Sequence, residues 1–221
     1  MTSTLRPSAG AFCHEPLRSM LHHGKTVAAV LAVLLAAQLP ALALYVMLHP
    51  GSAPTPTADV SNAIPPLRLD SVSDDVLWMA RCAYSETKRA DEQRLVAWVI
   101  RNRVETGYRG QRSYETVVTD PYQFSAFNPG NPKRVLYSSL TPTSDAAGWR
   151  QALEAAHAVY YSDASERPFS DRTRHFYSER SMPGRRAPRW ASGHQPVQPV
   201  GFRVDPSRFR FYAGVAAMLK M

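Results

Sequence analysis

The sequence predicts a small, mostly helical α+β domain carried behind one N-terminal apolar helix. Three observations lead there: a single uncharged run of 23 residues near the N-terminus, three stretches between Ser73 and Tyr161 whose apolar residues recur at helical spacing, and short alternating stretches near the C-terminus. A chain of 221 residues, 44% of them hydrophobic, has room for one ordinary core plus an appendage, but not for two sizeable cores. Its 18 prolines and 11 glycines promise loops and exclude a fibrous all-helical chain. Lys and Arg number 26 against 18 Asp and Glu, a formal net charge of +8, which favours an anionic partner: nucleic acid, a membrane surface or a cell-wall polymer.

The uncharged run extends from Thr26 to Leu48. At 1.5 Å per residue it reaches about 34 Å, enough to cross a bilayer core as a helix despite Gln38 and Pro40. Arg6, Arg18 and Lys25 precede it against one acid, Glu15, and the first basic residue after it is Arg68. The positive-inside rule therefore leaves residues 1–25 in the cytoplasm, makes 26–48 a transmembrane signal-anchor, and places the remainder in the periplasm or outside the cell. The alternative is a cleaved leader, since Ala41-Leu42-Ala43 has the small-x-small form of a cleavage site. On either reading the C-terminal part works outside the cytoplasm, and with Cys13 on the cytoplasmic side and Cys82 in the exported part the two cannot pair within one chain. Export also argues against nucleic acid as partner, and no nucleic-acid-binding signature accompanies the charge.

Residues 49–69 carry five prolines and no apolar periodicity, and read as a semi-extended linker. The globular part follows as residues 70–221. Ser73 is a good N-cap, Asp74 and Asp75 suit the first turn, and Val76, Leu77, Ala80, Ala83 and Tyr84 form one buried stripe. A second helix is expected from an Asp91 cap, with Leu95, Val96, Val99, Ile100 and Val104 on its apolar face and Gly107 as its stop. Ser113 to Val118 reads as one short helical turn, Tyr122 to Pro142 as loop, and Asp145 to Tyr161 as a third long helix. Arg174–Ser178, Val200–Val204 and Arg208–Ala213 read as short strands, the last two joined by a turn at Asp205-Pro206.

The familiar catalytic signatures G-x-S-x-G, P-loop and H-E-x-x-H are absent, and the seven histidines have no metal-ligand spacing, so neither a metal nor a cofactor is expected. Glu86 stands out, at the expected end of the first long helix behind Trp78, Met79 and Tyr84. A carboxyl group beside apolar packing has its charged form disfavoured, which suits a general acid; a solvated helix-end glutamate is the plain alternative.

Five short motifs in order give that residue a context: Ala80-Arg81 with Tyr84 and Glu86; Val99-Ile100 with Asn102-Arg103-Val104; Gln123-Phe124-Ser125; His175-Phe176-Tyr177; and Pro188 with Trp190. Together they resemble the SleB-type cell-wall hydrolases, relatives of the spore-cortex-lytic enzymes, over Asp74 to Trp190. The resemblance implies a lysozyme-like domain acting on peptidoglycan glycan strands, with Glu86 as catalytic acid/base. Two departures stand out. Thr87-Lys88-Arg89-Ala90 replaces the family's A-R-G-E, leaving Asp91 or Glu92 as approximate substitutes for its second glutamate. Ala126-Phe127 stands where the family has tryptophan.

A single carboxyl group suffices for a lytic transglycosylase, which needs no activated water, whereas ordinary glycosidases use two. The expected activity is therefore glycan cleavage to 1,6-anhydro-muramyl ends. The alternatives are a hydrolytic muramidase, with Glu115 or Asp120 as second carboxylate, and a catalytically weak peptidoglycan-binding or scaffold protein. Tyr84, Gln123, Phe124, Ser125, Phe127, His175, Tyr177 and Trp190 are the candidate substrate-binding residues. Gln123 and Ser125 offer hydrogen bonds to sugar hydroxyl and N-acetyl groups, while Phe127, Tyr177 and Trp190 offer flat faces to sugar rings or belong to the core.

Overall fold

Ser73 starts the first helix as its composition suggests: the Oγ accepts a hydrogen bond from Val76 N at 3.4 Å, and Asp74 and Asp75 occupy the first turn, where the helix dipole favours acids. This helix, α1 (Asp74–Glu86), buries Val76, Met79, Ala80, Cys82 and Ala83 almost completely; the small residues among them let neighbouring helices approach closely. The computed structural model describes residues 63–217 of the chain. The expected cytoplasmic segment, the apolar run 26–48, Cys13 and the linker as far as residue 62 lie outside the described residues. Among the described residues no helix is long and apolar enough to cross a membrane.

After a three-residue break comes α2 (Ala90–Glu105). Its N-cap is Arg89, with no side-chain hydrogen bond, and Asp91 falls one turn-position inside rather than serving as the cap. Leu95 to Ile100 are all buried, so α2 is apolar all round at its middle, as a central helix must be. Gly107, with φ at 59°, adopts the left-handed conformation that ends it. The short α3 (Tyr114–Thr119) is held by a capping box between Ser113 and Thr116.

The stretch from Tyr122 to Pro142, expected to be loop, contains a 3-10 turn at Ser125–Phe127 and one more helix, α4 (Lys133–Ser138). The long helix after it, α5 (Trp149–Tyr161), begins four residues later than the sequence suggests, following its N-cap Gly148, whose φ is 77°. It packs across both α1 and α2. Trp149 anchors it, fully buried, with its Nε1 donating to Thr141 O at 2.7 Å.

Two strands, β1 (Thr173–Tyr177) and β2 (Arg210–Ala213), form an antiparallel ribbon with His175 opposite Tyr212 and Phe176 opposite Phe211. The expected strand Val200–Val204 does not form: Pro199 precedes it, Gly201 takes φ 76°, and only Val197 makes an isolated bridge, to Phe211. Side chains of α2 pin the ribbon to the helical body. Asn102 Nδ2 donates to Ser170 O at 3.1 Å and to Thr173 O at 2.8 Å, and Arg103 Nε donates to Arg174 O at 2.7 Å. The last linker residues also join the fold, since Leu67 and Leu69 pack on the core. The described part is thus a mostly helical α+β body carrying one two-stranded ribbon.

Candidate active site

Glu86 is the last residue of α1, and the chain turns away from it through Thr87, whose N–H still reaches Ala83 O at 3.2 Å. A dense polar network fixes that turn. Thr87 Oγ1 donates to Glu92 Oε2 at 2.5 Å, Gln93 Nε2 donates to Thr87 O at 2.9 Å, and Arg208 grips Glu92 with Nε at 2.6 Å and Nη2 at 2.9 Å. Glu92, the approximate substitute for a second catalytic glutamate, is therefore committed to structure. Burial would raise its pKa, but the hydrogen bonds from Arg208 and Thr87 outweigh that and hold it below the usual carboxylate range.

The half-buried Glu86 opens on a cleft of about 580 Å³. One wall comes from the segment after α3: Tyr122, Gln123, Ser125 and Asn128. The opposite wall is the end of β1 and the turns after it, Phe176 to Ser178 and Arg180 to Met182, closed by Arg208 and Phe209 ahead of β2. Among the described residues Glu86 is the single carboxyl group that lines the cleft. Asp91 and Glu115 are exposed elsewhere, and Asp120 is buried against Arg109 with its Oδ2 at 2.6 Å from Nε.

Burial pushes the Glu86 pKa up from 4.5 to about 7, with the charge of Arg103 acting in the opposite direction without prevailing. Two further features favour the proton. The carboxyl sits at the negative end of the α1 dipole with no basic residue in the last turn, and no hydrogen bond reaches it among the described residues. The cleft's two arginines are engaged elsewhere, Arg208 with Glu92 and Arg180 with Asp205 at 2.9 Å. A carboxylic acid that stays protonated near neutrality is equipped to donate a proton to a leaving group.

Of the candidate binding residues, Gln123, Ser125 and Tyr177 come together with Glu86 in the cleft. Tyr84 does not: it is buried, its hydroxyl donates to Ala147 O at 3.1 Å, and its ring meets Tyr137 and Trp149 edge-on. Phe124 and Phe127 are core residues, each 1% exposed, the first beneath the Arg103 guanidinium and the second against Trp78 and Tyr137. Neither has a face left for a sugar. His175 and Trp190 stand beside each other around a smaller neighbouring pocket. Burial, followed by the charges of Arg103 and Arg174, drives the His175 pKa down to about 3, so the ring is neutral.

Sequence reasoning missed Asn128, Met182 and Arg208 in the cleft wall, and above all Tyr122. That residue is 83% exposed and takes φ 65°, a left-handed conformation unusual for an aromatic side chain, with its N–H donating to Asn128 Oδ1 at 2.8 Å. Strain of this kind persists where surrounding contacts enforce it, and here it holds an aromatic face out at the cleft mouth. Among the described residues no group of three or more His, Cys, Asp and Glu is placed to hold a metal ion.

No curated protein and no solved structure matches the chain. A family model described as Cell Wall Hydrolase matches residues 87–201, just over half of the sequence. The match starts one residue after Glu86 and takes in every other residue of the cleft wall except Arg208 and Phe209. With that cleft and that extent of agreement, the chain belongs to the SleB-type cell wall hydrolases, enzymes that act on peptidoglycan.

Proposed function

We propose that the protein cleaves peptidoglycan glycan strands as a lytic transglycosylase, on a lysozyme-like body, with Glu86 as its single acid/base. The observation that carries this reading is that, among the described residues, one carboxyl group lines the cleft, and burial pushes its pKa up to about 7, so that it keeps its proton in slightly acid solution and in about half the molecules at neutrality. The Glu86 carboxyl donates its proton to the glycosidic oxygen as the bond to the muramic C1 breaks. The N-acetyl group of the same sugar stabilises the cation that develops at C1. Glu86, now a carboxylate, accepts the proton of the muramic 6-hydroxyl while that oxygen bonds to C1. A 1,6-anhydro ring forms, the acid is restored, and no water is consumed. Gln123, Ser125 and Asn128 supply hydrogen-bonding groups along one wall, and Tyr122 and Tyr177 supply flat faces.

Mass spectrometry of the soluble fragments released from peptidoglycan by the purified protein tests this. Anhydro-muramyl ends are expected. Reducing muramyl ends would replace the mechanism with hydrolysis, and intact wall binding without any released fragment would replace the enzyme with a scaffold.

We also propose that residues 26–48 anchor the protein in the cytoplasmic membrane, with the enzyme domain outside the cytoplasm. On cell fractionation the full chain is expected to sediment with membranes and to stay there through an alkaline wash. A soluble form beginning just after Ala43 would show instead that the segment is a cleaved leader.

A further inference from the structure

Beside the cleft lies a second pocket of about 100 Å³, walled by Arg103, Tyr108, Arg109 and His175 and joined to the cleft through Tyr122 and Gln123, which line both. Its volume is ample for several waters, each of which needs about 10–15 Å³ on this measure, or for one small planar group. The wall is cationic. Arg109 is ion-paired with Asp120. Arg103, 4% exposed, spends its Nε on Arg174 O and lies over the Tyr108 ring, forms no ion pair among the described residues, and its Nη1 has no hydrogen-bond partner.

The neutral His175 shares a 2.9 Å hydrogen bond between Nε2 and the Tyr108 hydroxyl, and its Nδ1 is likewise buried without a partner. A buried guanidinium that no carboxylate contacts, with Asp120 and Glu86 acting on it only from a distance, next to a further unmatched ring nitrogen, is an unfavourable arrangement. It becomes favourable when the missing acceptor arrives with a ligand, and guanidinium groups match planar carboxylates in particular.

We propose that this pocket is a carboxylate subsite, which holds a carboxylate borne by the wall polymer while the scissile bond lies at Glu86. The proposal rests on the glycan-cleaving reading of the cleft and deepens it. Two parts of peptidoglycan carry this chemistry: the lactyl group of a muramic residue whose peptide has been removed, and the free carboxylates of a stem peptide.

The test uses the full chain and two matched pairs of substrates. One pair is glycan strands stripped of peptide, with the lactyl groups as free acids or as methyl esters. The other is peptide-bearing strands with their carboxylates free or amidated. Cleavage is compared as kcat/KM, and binding is measured by calorimetry with the Glu86→Gln protein.

In one pair the acid is expected to exceed its neutral counterpart by about tenfold or more in both measurements, as for loss of a charge-assisted hydrogen bond. The pair that shows the difference identifies the source. In Arg103→Gln the ratio is expected to fall toward one, and Arg103→Lys should keep part of it. Equal values for acid and neutral forms in both pairs on the wild-type protein overturn the proposal, whether or not the Arg103 variants fold. If the wild type cleaves nothing yet binds the acid tenfold better in calorimetry, the cleavage mechanism fails and the subsite stands.

Discussion

Glu86→Gln is expected to lower the rate of glycan cleavage by about 10²–10⁴-fold while leaving wall binding in place, because the substitution removes the donated proton and little else. The pH dependence sharpens the expectation. The acid must be protonated to act, and its pKa is pushed up to about 7, so the wild-type rate should hold below neutrality and fall about tenfold per pH unit above it. The residual activity of the variant should lack that limb.

The same shift has a stability counterpart. Below about pH 4.5 Glu86 is protonated in both the folded and the unfolded chain, and its contribution is constant. Between about 4.5 and 7 the unfolded chain releases the proton and the folded one keeps it, so stability falls as pH rises through that window. At about 1.4 kcal/mol per unit, the wild type loses up to about 3 kcal/mol that Glu86→Gln does not lose. Urea unfolding of the two proteins at pH 4 and pH 8 measures it; parallel curves would contradict a desolvated acid.

Arg208→Met is expected to destabilise the fold by about 3 kcal/mol at neutral pH, the low end of the scale for removing one partner of a buried ion pair, because Glu92 is buried while Arg208 is only half-buried. Glu92 is 3% exposed, and without Arg208 its carboxylate retains the Thr87 hydroxyl and the more distant Arg89, at 3.4 Å. For a domain of this size a loss of about 3 kcal/mol lowers the midpoint of thermal unfolding by roughly 6–12 °C.

The sign with pH is opposite to that of Glu86. The depressed pKa of Glu92 means its ion pair stabilises above the carboxylate range and ceases to do so as the group protonates, so the penalty of Arg208→Met should shrink toward pH 3. The double variant with Glu92→Gln should recover much of the loss at neutral pH. A double-mutant cycle showing simple additivity would contradict the coupling.

The parts of this fold legible in the sequence are those set by local rules. The Ser73 cap, the α1 stripe and the apolar face of α2 are each fixed by spacing within one element, and each forms as its residues imply, although α2 is buried all round at its middle rather than on one face. The helix Lys133–Ser138 has no such signature, since it buries no residue fully and follows Pro132 in a run of Asn, Gly and Pro. Val200–Val204 alternates like a strand, yet β1 takes Arg210–Ala213 as its partner, a choice made by tertiary pairing.

The site divides in the same way. Glu86, Gln123 and Ser125 carry motif signatures, whereas Tyr122 and Asn128 flank the Gln123-Phe124-Ser125 motif without belonging to it, and Arg208 is brought in from the far end of the chain. Phe124 and Phe127 show the reverse error: an aromatic residue in a motif is as suited to a core as to a sugar, and only burial separates the two.

The cleft is assembled from four stretches separated by dozens of residues, with the acid in the first and Arg208 and Phe209 in the last. A chain made from its N-terminus therefore carries the proposed acid long before the last wall of its cleft. Until Arg208 has tied Glu92 to the final ribbon, Glu86 stands at an open helix end, with neither the enclosure that keeps its proton nor a wall against which to hold a sugar. On the proposed mechanism, a copy that ends before Arg208 lacks both and is expected to cleave nothing.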